Sequence, residues 1–214
     1  MGVESMLESA TTSLLIIEAR SNRDLVIGVP HHAPAGQATL PCREHPDADE
    51  NAGFLGWYLA EKLNCCSVIA CNYTVDGNKS LRTDYSMQIA AWSPHQLIEI
   101  HGHSGKRAYS NIEISCGSAR NNEHSMRLAD RLKTAFKSKS ELKHLTVCGE
   151  YERLYFQAKQ AATICGSRWL SYHIELPPEL RKPSHEGFGK PRESSYRFCD
   201  VLVQALEDIH RTCT

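Results

Sequence analysis

Two runs of aliphatic and β-branched residues in this chain end in histidine. They are Ile27-Gly28-Val29-Pro30-His31-His32 and Leu97-Ile98-Glu99-Ile100-His101-Gly102-His103. Short runs of this kind read as strands buried in a parallel sheet. The carboxyl ends of such strands are where α/β folds place their ligands. Histidine groups at two strand ends therefore suggest a metal site shared by distant parts of one sheet. The acidic cluster Asp47-Ala48-Asp49-Glu50, just before a helical pattern, offers a third ligand. Two imidazoles, one carboxylate and an open position make the donor set of a hydrolytic zinc.

The rest of the pattern is consistent with such a sheet. Apolar runs at 13–19 and 24–29, joined by Arg20-Ser21-Asn22-Arg23, read as two strands and a turn. Pro34, Gly36, Pro41 and Pro46 make 33–50 a loop. Leu55, Tyr58, Leu59 and Leu63 recur at helical spacing, and Asp49 stands where the N-cap belongs. Further strands are expected at 67–71, 96–101, 111–116, 145–148 and 169–176, the last stopped by Pro177-Pro178. Leu128, Leu132, Ala135 and Phe136 mark a helix near 123–138. Phe198, Val201, Leu202, Ala205, Leu206 and Ile209 form the apolar stripe of a final helix. Residues 79–92 read as a loop with a helical turn, and 151–166 show no clear period. Strands alternating with helices predict an α/β fold with a mixed, mostly parallel central sheet flanked by helices. The 214 residues suit a single domain, 1–214.

Composition narrows the partners. A net charge of −1 lacks the basic excess that sequence-independent nucleic-acid binding needs. No apolar run approaches the ~20 residues of a membrane span, and the N-terminus has no signal-peptide pattern. The nine cysteines include no CxxC pair and read as reduced, mostly buried thiols. A cytoplasmic protein is expected.

Five motifs follow one another in a fixed order. They are Pro30-His31, Asp49-Glu50, Asp76-Gly77-Asn78-Lys79, Glu99-Ile100-His101-Gly102, and Ser171-Tyr172-His173-Ile174-Glu175-Leu176-Pro177-Pro178. Over about residues 25–182 this order resembles the N-formylglutamate amidohydrolase family, within the zinc carboxypeptidase-like hydrolases. The resemblance implies that His31, Asp49 and His101 hold zinc, with Glu50 the alternative to Asp49, and that Glu175 is the general base. Asp76-Gly77-Asn78-Lys79 matches the family's Asp-x-Asn-Arg motif, with lysine in place of arginine. Asn78 and Lys79 are then expected to hold the substrate anion or the oxyanion. A lysine is a point charge where arginine is a planar fork, so Arg82 or Arg120 is a candidate for the missing guanidinium. Glu99, two residues before His101 on the same strand face, is placed to orient a ligand histidine from behind. Strand alternation turns His32 away from His31 and puts His103 on the side of His101, as a substrate contact.

The expected activity is zinc-dependent hydrolysis of an amide in a small N-acylated, carboxylate-bearing substrate, such as an acyl-amino acid or a glutamyl amide. Two alternatives are a peptidase of γ-linked glutamate polymers and a metal-retaining binding protein without turnover. An open cleft beside Glu175 separates the enzymes from the binding protein, and a long groove would favour the polymer.

Overall fold

A computed structural model of the chain describes residues 2–183 and 189–211. Among the described residues, eight strands form one sheet. They are β1 (Leu14–Glu18), β2 (Asn22–Ala33), β3 (Asp49–Glu50), β4 (Cys65–Cys71), β5 (Gln96–Gly102), β6 (Ile112–Ser115), β7 (Val147–Cys148) and β8 (Leu170–Leu176). Their order is β1-β4-β2-β5-β8-β6-β7, with β3 paired to β2. The centre, β4-β2-β5-β8, is parallel. The antiparallel contacts are β1 on β4 and β6 on β8. The expected mixed, mostly parallel sheet is therefore present. The two strands flanking residues 20–23 do not pair with each other, because β4 lies between them.

Six helices flank the sheet among the described residues: α1 (Val3–Ser9), α2 (Ala52–Lys62), α3 (Asp84–Trp92), α4 (Asn122–Phe136), α5 (Ala162–Cys165) and α6 (Glu193–Arg211). On one face Ile27, Val29, Ile98, Ile100 and Ile174 share a core with Leu55 and Leu59 of α2, Leu128 of α4, and Phe198 and Leu202 of α6. Each such side chain contributes roughly 1.5–3 kcal/mol on full burial. Packing of these stripes, rather than intrinsic propensity, holds the helices. On the other face Val26, Val68 and Leu97 meet Tyr85 and Ile89 of α3 and Ile164 of α5. No described helix is long and apolar enough to cross a membrane.

That second face turns polar toward the carboxyl ends of the strands. Along β5 the same-side residues run Leu97, Glu99, His101, and along β8 they run Ser171, His173, Glu175. Parallel register sets Glu99 beside His173 and His101 beside Glu175. Two adjacent strands thus present a buried block of four ionisable side chains.

Strand β2 reaches the same site through a bulge. Gly28 faces Tyr85 and Glu99, whereas Val29 faces Gly56 of α2. Strict alternation from there would send His31 toward α2. The register with β4 shifts between Val29 and His32, a stretch that contains Pro30, which has no N–H for a ladder. The shift returns His31 to the site side and turns His32 toward α1 and α2. There His32 Nε2 lies 3.1 Å from the Leu7 carbonyl, and its Nδ1 accepts from the Gly53 amide at 3.1 Å.

Asp49 is not the helix N-cap that its spacing suggested. Pairing between β2 and β5 ends at Gly28–Glu99, and β3 takes up the end of β2, His32 against Asp49. The position before α2 belongs to Asn51, in the left-handed region at φ 62°, with no side-chain cap bond. Asparagine tolerates that conformation. Its amide nitrogen donates instead to the carbonyls of Arg181 at 3.1 Å and Gly189 at 3.0 Å. The ladder holds the Asp49 backbone, and the Asp49 carboxylate is engaged elsewhere.

Candidate metal centre

His31, Asp49 and His101 meet at the ends of β2, β3 and β5. Asp49 Oδ2 lies 3.5 Å from His31 Nδ1 and 3.4 Å from His101 Nδ1. Each imidazole turns its other nitrogen to a carboxylate. His31 Nε2 is 3.0 Å from Asp76 Oδ1, and His101 Nε2 is 3.3 Å from Glu99 Oε2. These outer partners fix both rings with Nδ1 inward. Glu99 accepts in turn from the Tyr85 hydroxyl and the Asn78 amide, each at 3.0 Å. A Cβ on Gly28 would overlap that hydroxyl, so glycine is what admits Tyr85 to Glu99.

The donor set fits a divalent metal. His31 Nδ1 and Asp49 Oδ2 are buried without a hydrogen-bond partner. Such an atom costs about 1–3 kcal/mol when left unsatisfied. One ligand atom from each of His31, Asp49 and His101 lies within 4.8 Å of the others, so one cation can serve all three. Glu50 is turned away. Its carboxylate meets Lys182 Nζ at 2.6 Å and the Gly36 amide at 3.0 Å.

Without metal the cluster holds protons. Burial opposes charge on His101, but contacts with Asp49 and Glu99 outweigh it and raise the imidazole to about 10. His31 is raised too, with Asp49 and Asp76 overcoming burial. The same contacts hold Asp49 and Asp76 well below the usual carboxylate range, despite their burial. Metal ligation needs neutral imidazole. Metal binding is therefore expected to expel protons, and metal affinity to rise with pH across the neutral range. Titration calorimetry at pH 7 in buffers of different protonation enthalpy measures this, and heats independent of buffer would contradict it.

A cavity of about 820 Å³ opens over the cluster, lined by His31, Asp49 and His101 together with Asn78, Lys79 and Glu175. Burial lifts the Glu175 carboxyl to about 7, against the pull of His101. Glu175 Oε2 is buried without a hydrogen-bond partner. A larger groove of about 1140 Å³ runs between α4 and α6. None of the candidate residues lines it, and its walls carry surface side chains of both charges, such as Arg127, Asp130 and Arg131.

The three residues expected to touch substrate stand differently. Asn78 is buried with its amide nitrogen committed to Glu99. Lys79 Nζ pairs with Asp76 Oδ2 at 3.2 Å, its side chain 39% exposed at the cavity wall. Both nitrogens of His103 are taken by backbone: Nε2 donates to the Asn111 carbonyl at 2.8 Å, and Nδ1 accepts from the Gly105 amide at 2.9 Å. Its ring stacks on Phe156, and both residues line the cavity.

Neither Arg82 nor Arg120 lines the cavity; Arg181 does. Its guanidinium is buried and donates to the carbonyls of Leu176 at 3.2 Å, Glu50 at 2.7 Å and His103 at 3.0 Å. It lies against Gly102, where a Cβ would overlap it. Gly102→Ala is expected to destabilise the fold by about 1–3 kcal/mol, the usual cost of overpacking. Denaturant unfolding measures the change, and a midpoint equal to wild type would show that the guanidinium has room to move.

Among the cavity residues to which sequence reading gave no role are Arg181, His45 and His173. Arg181 follows a double proline in a segment with no period. His45 lies in the proline-rich loop, its ring stacked on His31 at 3.8 Å. His173 shares a strand face with Glu175, and that i, i+2 relation was legible.

No protein-family model matches this chain, and no curated protein matches it in sequence. Solved structures do match in three dimensions. A bacteriophage poly-gamma-glutamate hydrolase superposes over 94% of this chain and 90% of its own, with a TM-score of 0.60 at 9% identity. N-formylglutamate amidohydrolase from Ralstonia eutropha JMP134 covers 92% of this chain and 97% of its own, with a TM-score of 0.53 at 12% identity. The gene product Atu2144 from Agrobacterium tumefaciens covers 94% and 98%, with a TM-score of 0.51 at 15% identity. The chain shares the mixed α/β fold of these proteins over more than nine tenths of its length.

Proposed function

We propose that this protein is a zinc-dependent amidohydrolase acting on a small N-acylated, carboxylate-bearing substrate. His31, Asp49 and His101 are the ligands and Glu175 is the general base. One observation carries the reading: a convergent His–Asp–His donor set and a buried carboxyl near neutrality, Glu175, share one open cavity. Structural zinc sites are closed by four protein ligands, whereas three with an open side suit catalysis. The similarity of fold to N-formylglutamate amidohydrolase supports the amide as the bond attacked.

When bound, zinc supplies Lewis acidity toward the amide carbonyl and lowers the pKa of water. Glu175 Oε2 accepts the proton of the attacking water and later delivers it to the leaving nitrogen as the C–N bond breaks. A carboxyl titrating near the working pH serves both directions. Asp76 and Glu99 keep the ligand rings in place. Lys79 and Asn78 face the substrate's anionic end or the oxyanion. The ring face of His103 contacts the acyl part.

A second reading, hydrolysis of γ-linked glutamate polymers, is favoured by the rim. Lys106, Arg107 and Lys159 are exposed around the cavity, where an acidic chain would run. The poly-gamma-glutamate hydrolase shares this fold. The deciding experiment measures amine release from a panel of N-acyl amino acids and γ-glutamyl oligomers, with metal-stripped and zinc-restored protein. Turnover of monomers supports the first reading, and turnover of oligomers alone supports the second. Stoichiometric zinc without turnover of either would overturn both in favour of a binding protein.

A further inference from the structure

His173 has no part in the mechanism above, yet it is buried between a ligand and the base. Its ring stacks on His101, with centroids 4.1 Å apart and planes 29° apart. Its Nε2 lies 3.5 Å from Glu175 Oε1. Its Nδ1 is buried without a partner, as is Glu175 Oε2. This contact is just too long and misaligned for a hydrogen bond, and such contacts tighten into one when substrate arrives.

We propose that His173 is the positioning residue of Glu175. It holds Oε1 through its Nε2 proton and leaves Oε2 as the free acceptor. This rests on the hydrolase reading and adds a residue to it. The site contains three histidine–carboxylate pairs. In His31–Asp76 and His101–Glu99 the carboxylate fixes the imidazole, with an inward nitrogen left over. In His173–Glu175 the order is reversed, and an inward oxygen is left over. The ring of His173 is buried, so its Nε2–H faces Glu175 rather than solvent. A lysine or arginine in its place would pull the Glu175 carboxyl down and weaken it as a base.

The competing role is a metal ligand, because a ligand atom of His173 also lies within 4.8 Å of those of His101 and Glu175. Ring planes argue against it. Imidazole lone pairs lie in the ring plane. Rings 29° apart and stacked aim side by side, whereas those of His31 and His101, 61° apart, converge.

The test uses three variants of the full chain. His173→Leu removes the donor and is expected to lower kcat about 10–100-fold, the usual cost of losing such a partner. KM, zinc content and melting temperature should stay near wild type. His173→Gln places an amide nitrogen near the lost Nε2 and should restore kcat to within a few-fold. His173→Asn is too short and should not. Zinc loss in all three variants would make His173 a ligand, and equal kcat in the Gln and Asn variants would exclude a donor at Nε2; either overturns the proposal.

Nitrogen-15 spectra of the metal-free protein above pH 8 test it without turnover. His173 is expected as the Nε2–H tautomer, with a resonance that moves in Glu175→Ala. The Nδ1–H tautomer would overturn the proposal. A wild type that cleaves no amide would count against the hydrolase reading, while these spectra would still decide what His173 holds.

Discussion

Glu175→Gln is expected to lower kcat by about 10²–10⁴-fold, the range that general acid–base catalysis contributes. Glutamine keeps the shape of the side chain and cannot take the proton. The wild-type carboxyl is already buried and shifted to about 7. Replacing it with a neutral amide therefore leaves no new buried charge, and melting temperature should hold. Zinc content should also hold, because the proposed ligand set is His31, Asp49 and His101. Initial rates on the best amide of the panel, beside elemental analysis of the same samples, measure both quantities. Rates within a few-fold of wild type would remove Glu175 from the chemistry. Loss of zinc would make it a ligand instead.

Asp49→Ala should have the second large effect, loss of stoichiometric metal. Asp49 Oδ2 is the atom that both inward nitrogens face, at 3.5 and 3.4 Å. Without it two imidazoles remain, one ligand short of the usual three. A bound metal stabilises a fold in proportion to the logarithm of its concentration over Kd. The wild-type melting temperature should therefore climb with added zinc, and that of Asp49→Ala should not. Breaking a buried charge cluster also costs about 3–5 kcal/mol in the metal-free protein. Glu50→Ala is the control. Its carboxylate serves Lys182 and Gly36, so metal content should survive. The reverse outcome, metal lost from Glu50→Ala and kept by Asp49→Ala, would move the third ligand by one residue.

Much of this arrangement was legible in the chain, for identifiable reasons. The central strands carry continuous apolar runs, and these gave β4, β5 and β8 to within a few residues. The stripe from Phe198 to Ile209 lies within α6. Helix α3 was harder, because its buried face is Tyr85, Ser86 and Ile89, too short a set to show a period. Its start is marked only by Thr83, whose hydroxyl oxygen accepts from the Ser86 amide at 3.2 Å. Helix α5 is four residues long, below any periodic signal. The meeting of His31, Asp49 and His101 followed from motif order, but the way it is achieved did not. A bulge between Val29 and His32 and a two-residue strand at Asp49 are tertiary events. Local spacing at Asp49 favoured a helix cap, and pairing with β2 overrode it. Arg181 was out of reach because what holds it is three backbone carbonyls.

The position of β8 in the sheet also sets an order of assembly. The three proposed ligands lie on β2, β3 and β5, complete by His101, whereas the proposed base Glu175 comes 74 residues later. At about 5–20 residues per second, synthesis of that interval takes roughly 4–15 s. Until β8 pairs with it, β5 is an open edge, a template for unwanted pairing. The cluster of His31, Asp49 and His101 sits on strands that are made before that edge is covered. On the proposed roles, a nascent chain gathers its ligands first and acquires its base last, so the capacity to retain a metal would precede the capacity to cut a bond.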